Sequence, residues 1–115
     1  MDAILQSLSG TPGVEASMLV SKEGLVIEQA GRLDDMDIDL LAATASEMYT
    51  SAESAGERFN KGGIENLTIE ANGAKILLSA VNSDVFLLVL TRKKINLGLV
   101  RWEVQSSAEK LKGEL

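Results

Sequence analysis

The sequence predicts an α/β (α+β) fold: a five-stranded antiparallel sheet with helices on both faces, in the order α-β-β-α-β-β-β-α. Three observations predict it. Strands follow one another through short turns, so the alternating helices of a parallel βαβ fold are missing. The run Val85-Phe86-Leu87-Leu88-Val89-Leu90 is apolar on both faces of a strand, which calls for a central strand covered from both sides. The chain has 115 residues, 45% of them apolar, which suits one domain with a real core; no linker or internal repeat divides it.

Each element has its own signal. Ile4, Leu5 and Leu8 share a helical stripe, so residues 2–9 read as a short amphipathic helix, stopped by Gly10-Thr11-Pro12-Gly13. Residues 14–21 and 25–30 read as strands joined by Lys22-Glu23-Gly24, with glycine where positive φ is needed. A long helix follows from about Asp37 to Ala55. Strands are expected at about 65–71, 75–82 and 84–91, linked by Asn72-Gly73 and by Asn82-Ser83-Asp84. A last helix covers about 97–112, capped by Asn96, with Leu97, Val100, Val104, Ala108 and Leu111 as its core stripe.

The composition excludes much chemistry. Cysteine and histidine are both absent, which removes thiolates, disulfides, the commonest general base and the commonest transition-metal ligand. Neither a Gly-x-x-x-x-Gly-Lys-Ser/Thr phosphate loop nor a Gly-x-Ser-x-Gly elbow occurs. Asp34, Asp35, Asp37 and Asp39 could offer oxygens to a hard cation for hydrolysis, but they miss the EF-hand glycine and glutamate. They read instead as the acidic start of a helix. A net charge of −6 argues against nucleic acid, and Arg92-Lys93-Lys94 reads as a solvated loop at a strand end. No apolar run reaches the roughly 18 residues of a membrane span. The start Met1-Asp2-Ala3-Ile4 lacks a signal peptide's basic region. The expectation is a cytoplasmic binding protein, not an enzyme, with no cofactor, metal or membrane insertion.

The middle helix is the most informative segment. From Ala42 to Gly56, eleven of fifteen residues are Ala, Ser, Thr or Gly. One face, Ile38, Leu41, Ala45, Met48, Tyr49 and Ala52, goes down onto the sheet. The other collects Leu40, Ala43, Glu47, Thr50, Ser51 and Ser54, where long charged side chains would be usual. Alternating steps of three and four match a helix–helix seam, so this face is expected to pack on a partner. The strand around Leu67, Thr68, Ile69 and Glu70 has no proline or lysine to block edge pairing, unless a loop such as 57–64 covers it. Leu99 and Trp102, opposite the core stripe of the last helix, are a possible second interface or pack on the first helix.

In order and spacing these residues resemble the roadblock (dynein light chain) domain family. The likeness spans nearly the whole chain. It rests on Pro12-Gly13-Val14, Lys22-Glu23-Gly24-Leu25-Val26, Leu40-Leu41-Ala42-Ala43-Thr44-Ala45, the hairpin at Gly73, strand 85–90 and Leu97-Gly98. The resemblance implies a profilin-like fold and dimers paired through the middle helix and third strand. It also implies work as a platform for small Ras-like GTPases or motor complexes. Among similar proteins is a gliding-motility regulator acting on a polarity GTPase through its paired middle helices; the matching positions here are around Ala43, Glu47, Thr50 and Ser54. The expected function is a homodimeric scaffold that modulates a Ras-like GTPase by reshaping its switch region. The alternative is a dimerisation or adaptor module in a larger motor or signalling complex without a GTPase. Arg32, Arg58, Arg92 and Arg101 are the candidates for an arginine finger, and none sits in a telling context.

Overall fold

A computed structural model describes residues 1–115. It contains α1 (Asp2–Ser9), β1 (Val14–Ser21), β2 (Val26–Gly31), α2 (Ile38–Arg58), β3 (Asn66–Glu70), β4 (Lys75–Ala80), β5 (Val85–Thr91) and α3 (Leu97–Glu114). The strands form one antiparallel sheet in the order β2-β1-β5-β4-β3. The apolar run is β5, at the centre of the sheet as its two-sided hydrophobicity requires.

Alternation along β5 divides the interior in two. Leu87 and Val89 point to the side where α1 brings Leu5 and Leu8 and α3 brings Val100, Val104 and Leu111. Phe86 and Leu88 point to the side where α2 brings Ala42, Ala45 and Tyr49. Helices thus cover both faces, and the expected core is two clusters, one on each side of the sheet.

Side-chain caps start both long helices. The Asp37 carboxylate accepts from the Leu40 amide at 3.1 Å, and the Asn96 side chain accepts from Leu99 N–H at 3.1 Å. Each such cap contributes about 1 kcal/mol.

Several boundaries shift by one to three residues, and four of the shifts have a clear local reason. The Leu25 carbonyl accepts from Ser21 N–H and closes the β1–β2 hairpin, so β2 starts at Val26. Val81 N–H bonds the Val85 carbonyl, so β4 ends at Ala80. α2 runs on to Arg58 because its stop is Asn60, held at φ 60, rather than the glycine at 56. α3 continues to Glu114, whose carboxylate meets the amino group of Met1. No helix is long and apolar enough to cross a membrane.

A candidate protein-binding surface

α2 is fastened along one flank and open along the other. Its fastened flank faces the β1–β2 hairpin. There Ser46 donates to the Lys22 carbonyl, and the Lys22 ammonium meets Glu53 at 3.0 Å. The same ammonium stands 5.6 Å from the Tyr49 ring centre. Gly24, at φ 89, lets the hairpin turn lie against Ala43 and Ser46. Burial, and after it the charge of Glu53, pushes the Tyr49 phenol above its ordinary pKa.

The open flank overlooks β3 and β4, where no second helix covers the sheet. Between helix and sheet runs an almost wholly apolar groove of about 140 Å³, lined by Leu41, Thr44 and Met48 above and by Met18, Ile76 and Leu90 below. The ladder carries the same apolar face outward, because Leu90 pairs with Ile76 and Ile76 with Ile69. Leu41, Met48, Leu67, Ile69, Ile76 and Leu90 are all only partly buried.

The free edge of β3 borders this strip. Ala80 N–H bonds Glu65 and Ala71 N–H bonds Ala74, which fixes the phase of the β3–β4 ladder. By alternation, the backbone groups of Asn66, Thr68 and Glu70 point away from the sheet, and no segment of the chain pairs with them. The loop after α2 leaves this edge unpaired.

The sequence-selected residues of α2 distribute around its solvent side. Leu40 is 61% exposed, Ala43, Glu47, Thr50 and Ser51 are exposed, and Ser54 is half-buried. At 100° per residue, Leu40 and Ser51 lean towards the open flank, Glu47 and Ser54 form the crest, and Ala43 and Thr50 lean towards the hairpin. Leu67, Thr68, Ile69 and Glu70 lie on the free edge strand. Leu99 and Trp102 are on α3, across the sheet, 40% and 65% exposed.

Several surface residues were missed in the sequence. Phe59 is 76% exposed at the end of α2. With Thr50, Ser51, Ser54, Ala55 and Arg58 it frames a shallow hollow of about 590 Å³. Leu41 and Met48 pack against the α2-side core as their helical phase requires, and their outer sides line the open groove. An aromatic residue just past a small-residue helix was the available signal for Phe59.

Other candidate groups stay apart from this surface. Asp37 is occupied as a helix cap, Asp34, Asp35 and Asp39 are exposed, and no cluster of acidic side chains is disposed to hold a metal ion. Arg32, Arg58, Arg92 and Arg101 are all exposed. The largest concavity, about 890 Å³, opens at the far end of the sheet between Tyr49, Glu53, Trp102 and Glu109. The α2–β3 surface offers methyl groups, hydroxyls and free peptide groups, with Glu47 and Glu70 its only charges among the sequence-selected residues. Such groups pack and pair.

The comparisons agree with this architecture. The Roadblock/LC7 domain profile matches residues 1–91. The uncharacterized protein MJ0714 of Methanocaldococcus jannaschii is 37% identical over 113 residues, covering 97% of this chain and 93% of its own. MglB of Myxococcus xanthus superposes with a TM-score of 0.93 at 22% identity, over 98% of this chain and 92% of that one. A Roadblock/LC7 domain from Streptomyces avermitilis gives a TM-score of 0.90 at 25% identity, over 99% and 96%.

Proposed function

This chain belongs to the Roadblock/LC7 domain family, and on that premise we propose that it is a non-enzymatic homodimeric regulator that binds a small Ras-like GTPase and modulates its nucleotide cycle. The observation that carries the dimer is the open half of the α2-side layer. An apolar strip, Leu41, Met48, Ile69 and Ile76, lies next to a strand edge whose peptide groups have no partner. A second copy related by a two-fold axis satisfies both at once, joining β3 to β3 and covering the strip. The GTPase rests on the family resemblance and on the surface left over. The crest of α2 around Glu47 and Ser54 and the hollow beside Phe59 give a partner small side chains to approach closely and an aromatic anchor.

Light scattering after size exclusion tests both parts. The chain alone should run at twice its 12.3 kDa. Mixed with a Ras-like GTPase from the same organism, it should form a complex in at least one nucleotide state. No complex in either state rejects the GTPase, and a dimer lacking one is the adaptor module instead.

A further inference from the structure

We propose that the start of α3 and the loop before it form a peripheral docking surface for an anionic lipid bilayer. From Val85 to Trp102 the chain carries four cations, Arg92, Lys93, Lys94 and Arg101, and no acidic residue. Lys75 adds a fifth, its ammonium donating to the Lys93 carbonyl at 3.0 Å. None of the five is ion-paired; the two ion pairs of the molecule are Met1–Glu114 and Lys22–Glu53. In a chain of net charge −6, this is a concentration of unpaired positive charge at one end of the sheet.

The cations stand beside exposed apolar side chains. Leu99 is 40% and Trp102 65% exposed. Val100, Val104 and Leu111 point inward, so Leu99 and Trp102 lie along the outer crest of the helix. Tryptophan favours headgroup depth, where its ring is apolar and its N–H is wet. Basic residues near an anionic surface each strengthen partition roughly fivefold. Charges farther off than about 8 Å are largely screened. Of the nearer acids, Glu70 stands opposite Lys75 across the β3–β4 ladder and Glu103 follows Trp102, against the four cations Arg92, Lys93, Lys94 and Arg101. Glu65 and Glu109 share the cleft beside Trp102 and bound the patch on that side. Glu109 comes seven residues later, about 10 Å down the helix axis. Unpaired cations beside an exposed leucine and tryptophan match an anionic headgroup layer, which takes up charge and ring at one depth.

The doubling of this surface rests on the dimer proposed above; the patch itself does not. Pairing β3 to β3 about an axis normal to the sheet puts both α3 crests on one face and both α2 helices on the other. Two patches then face one membrane together, leaving α2 free for its partner.

Trp102 is the only tryptophan, so its emission reads the contact directly. Phosphatidylglycerol vesicles should shift it to the blue and float the protein. Phosphatidylcholine vesicles should do neither, and added salt should reverse both effects. The paired change Lys93→Glu and Lys94→Glu, at exposed positions, should weaken partition at least about twentyfold with an unchanged circular dichroism spectrum. Trp102→Ala should weaken it and leave it salt-sensitive. Absence of flotation, an unaffected charge-reversal variant, or an equal blue shift with polyglutamate overturns the proposal, the last in favour of an acidic protein. Light scattering on the same samples separates the two readings. A monomer that floats removes the dimer alone, and a dimer that does not float removes the lipid surface alone.

Discussion

The ring of Tyr49 lies flat on that of Phe86, centroids 4.6 Å apart and planes 9° from parallel. This stack bolts α2 to the central strand, and both residues are at most 2% exposed. The small residues around Tyr49 let the helix come this close, and the two rings are the largest fully buried side chains of the molecule. Phe86→Ala should cost about 3–5 kcal/mol, read as a fall in the urea midpoint at unchanged slope.

The same tyrosine sets a pH dependence. Its pKa is raised above 10.0 by burial first and by Glu53 second. In alkali the unfolded chain loses this proton before the folded one, so the folded state binds more protons there. This contribution is therefore whole below the ordinary tyrosine value and is lost as pH rises through the folded one. A phenolate absorbance titration of this sole tyrosine should give a midpoint above 10.0, and Glu53→Gln should lower it. A midpoint at the value of free tyrosine would contradict the burial of this ring.

Two glycines should respond oppositely to alanine. Gly31 has φ 99, and a Cβ there would collide with the Glu15 carbonyl oxygen and come within 2.8 Å of the Ala16 Cα. Gly31→Ala should cost about 2–4 kcal/mol, from backbone strain plus displacement of β1. Gly73 has nothing within 4 Å of such an atom. Gly73→Ala should stay within about 0.5 kcal/mol of the parent. Thermal melts of the pair side by side decide the matter.

Dimerisation can be cut at the strand edge without touching the core. Thr68 N–H points outward, so Thr68→Pro removes no bond within the chain but blocks addition of another strand. The expected outcome is a folded monomer by light scattering. On the helix, Ser51→Arg places a long charge on the open flank, and Ala43→Arg places one beside the hairpin. Ser51→Arg should weaken the dimer more. The reverse order would move the seam to the hairpin flank.

Most of the fold was legible because period and punctuation are local. Val85–Leu90 announced a central strand, Asp37 and Asn96 announced helix starts, and Asn72-Gly73 announced a hairpin; all stand where expected. What stayed hidden depends on placement. A period of 3.6 puts Leu41 and Met48 on the inward side, but whether that flank is covered depends on how far across the sheet the helix lies. Three apolar residues in a row, Leu25-Val26-Ile27, gave no sign of the bulge that pairs Leu19 with Glu28 but Val20 with Val26, leaving Ile27 41% exposed. The free edge of β3 was readable from its lack of blocking residues. Phe59 was not, because its exposure follows from where Asn60 ends the helix.

The sheet also acts as a partition. One side is held by α1 and α3, the other by α2 alone, and the two meet through the strands β1, β4 and β5, whose side chains alternate between them. Substitutions can therefore accumulate under α2, changing its tilt, its groove and the company it keeps, while the opposite side goes on holding the strands in register. A lineage of such chains can change partners by rewriting one helix and leave the machinery of folding inherited unchanged.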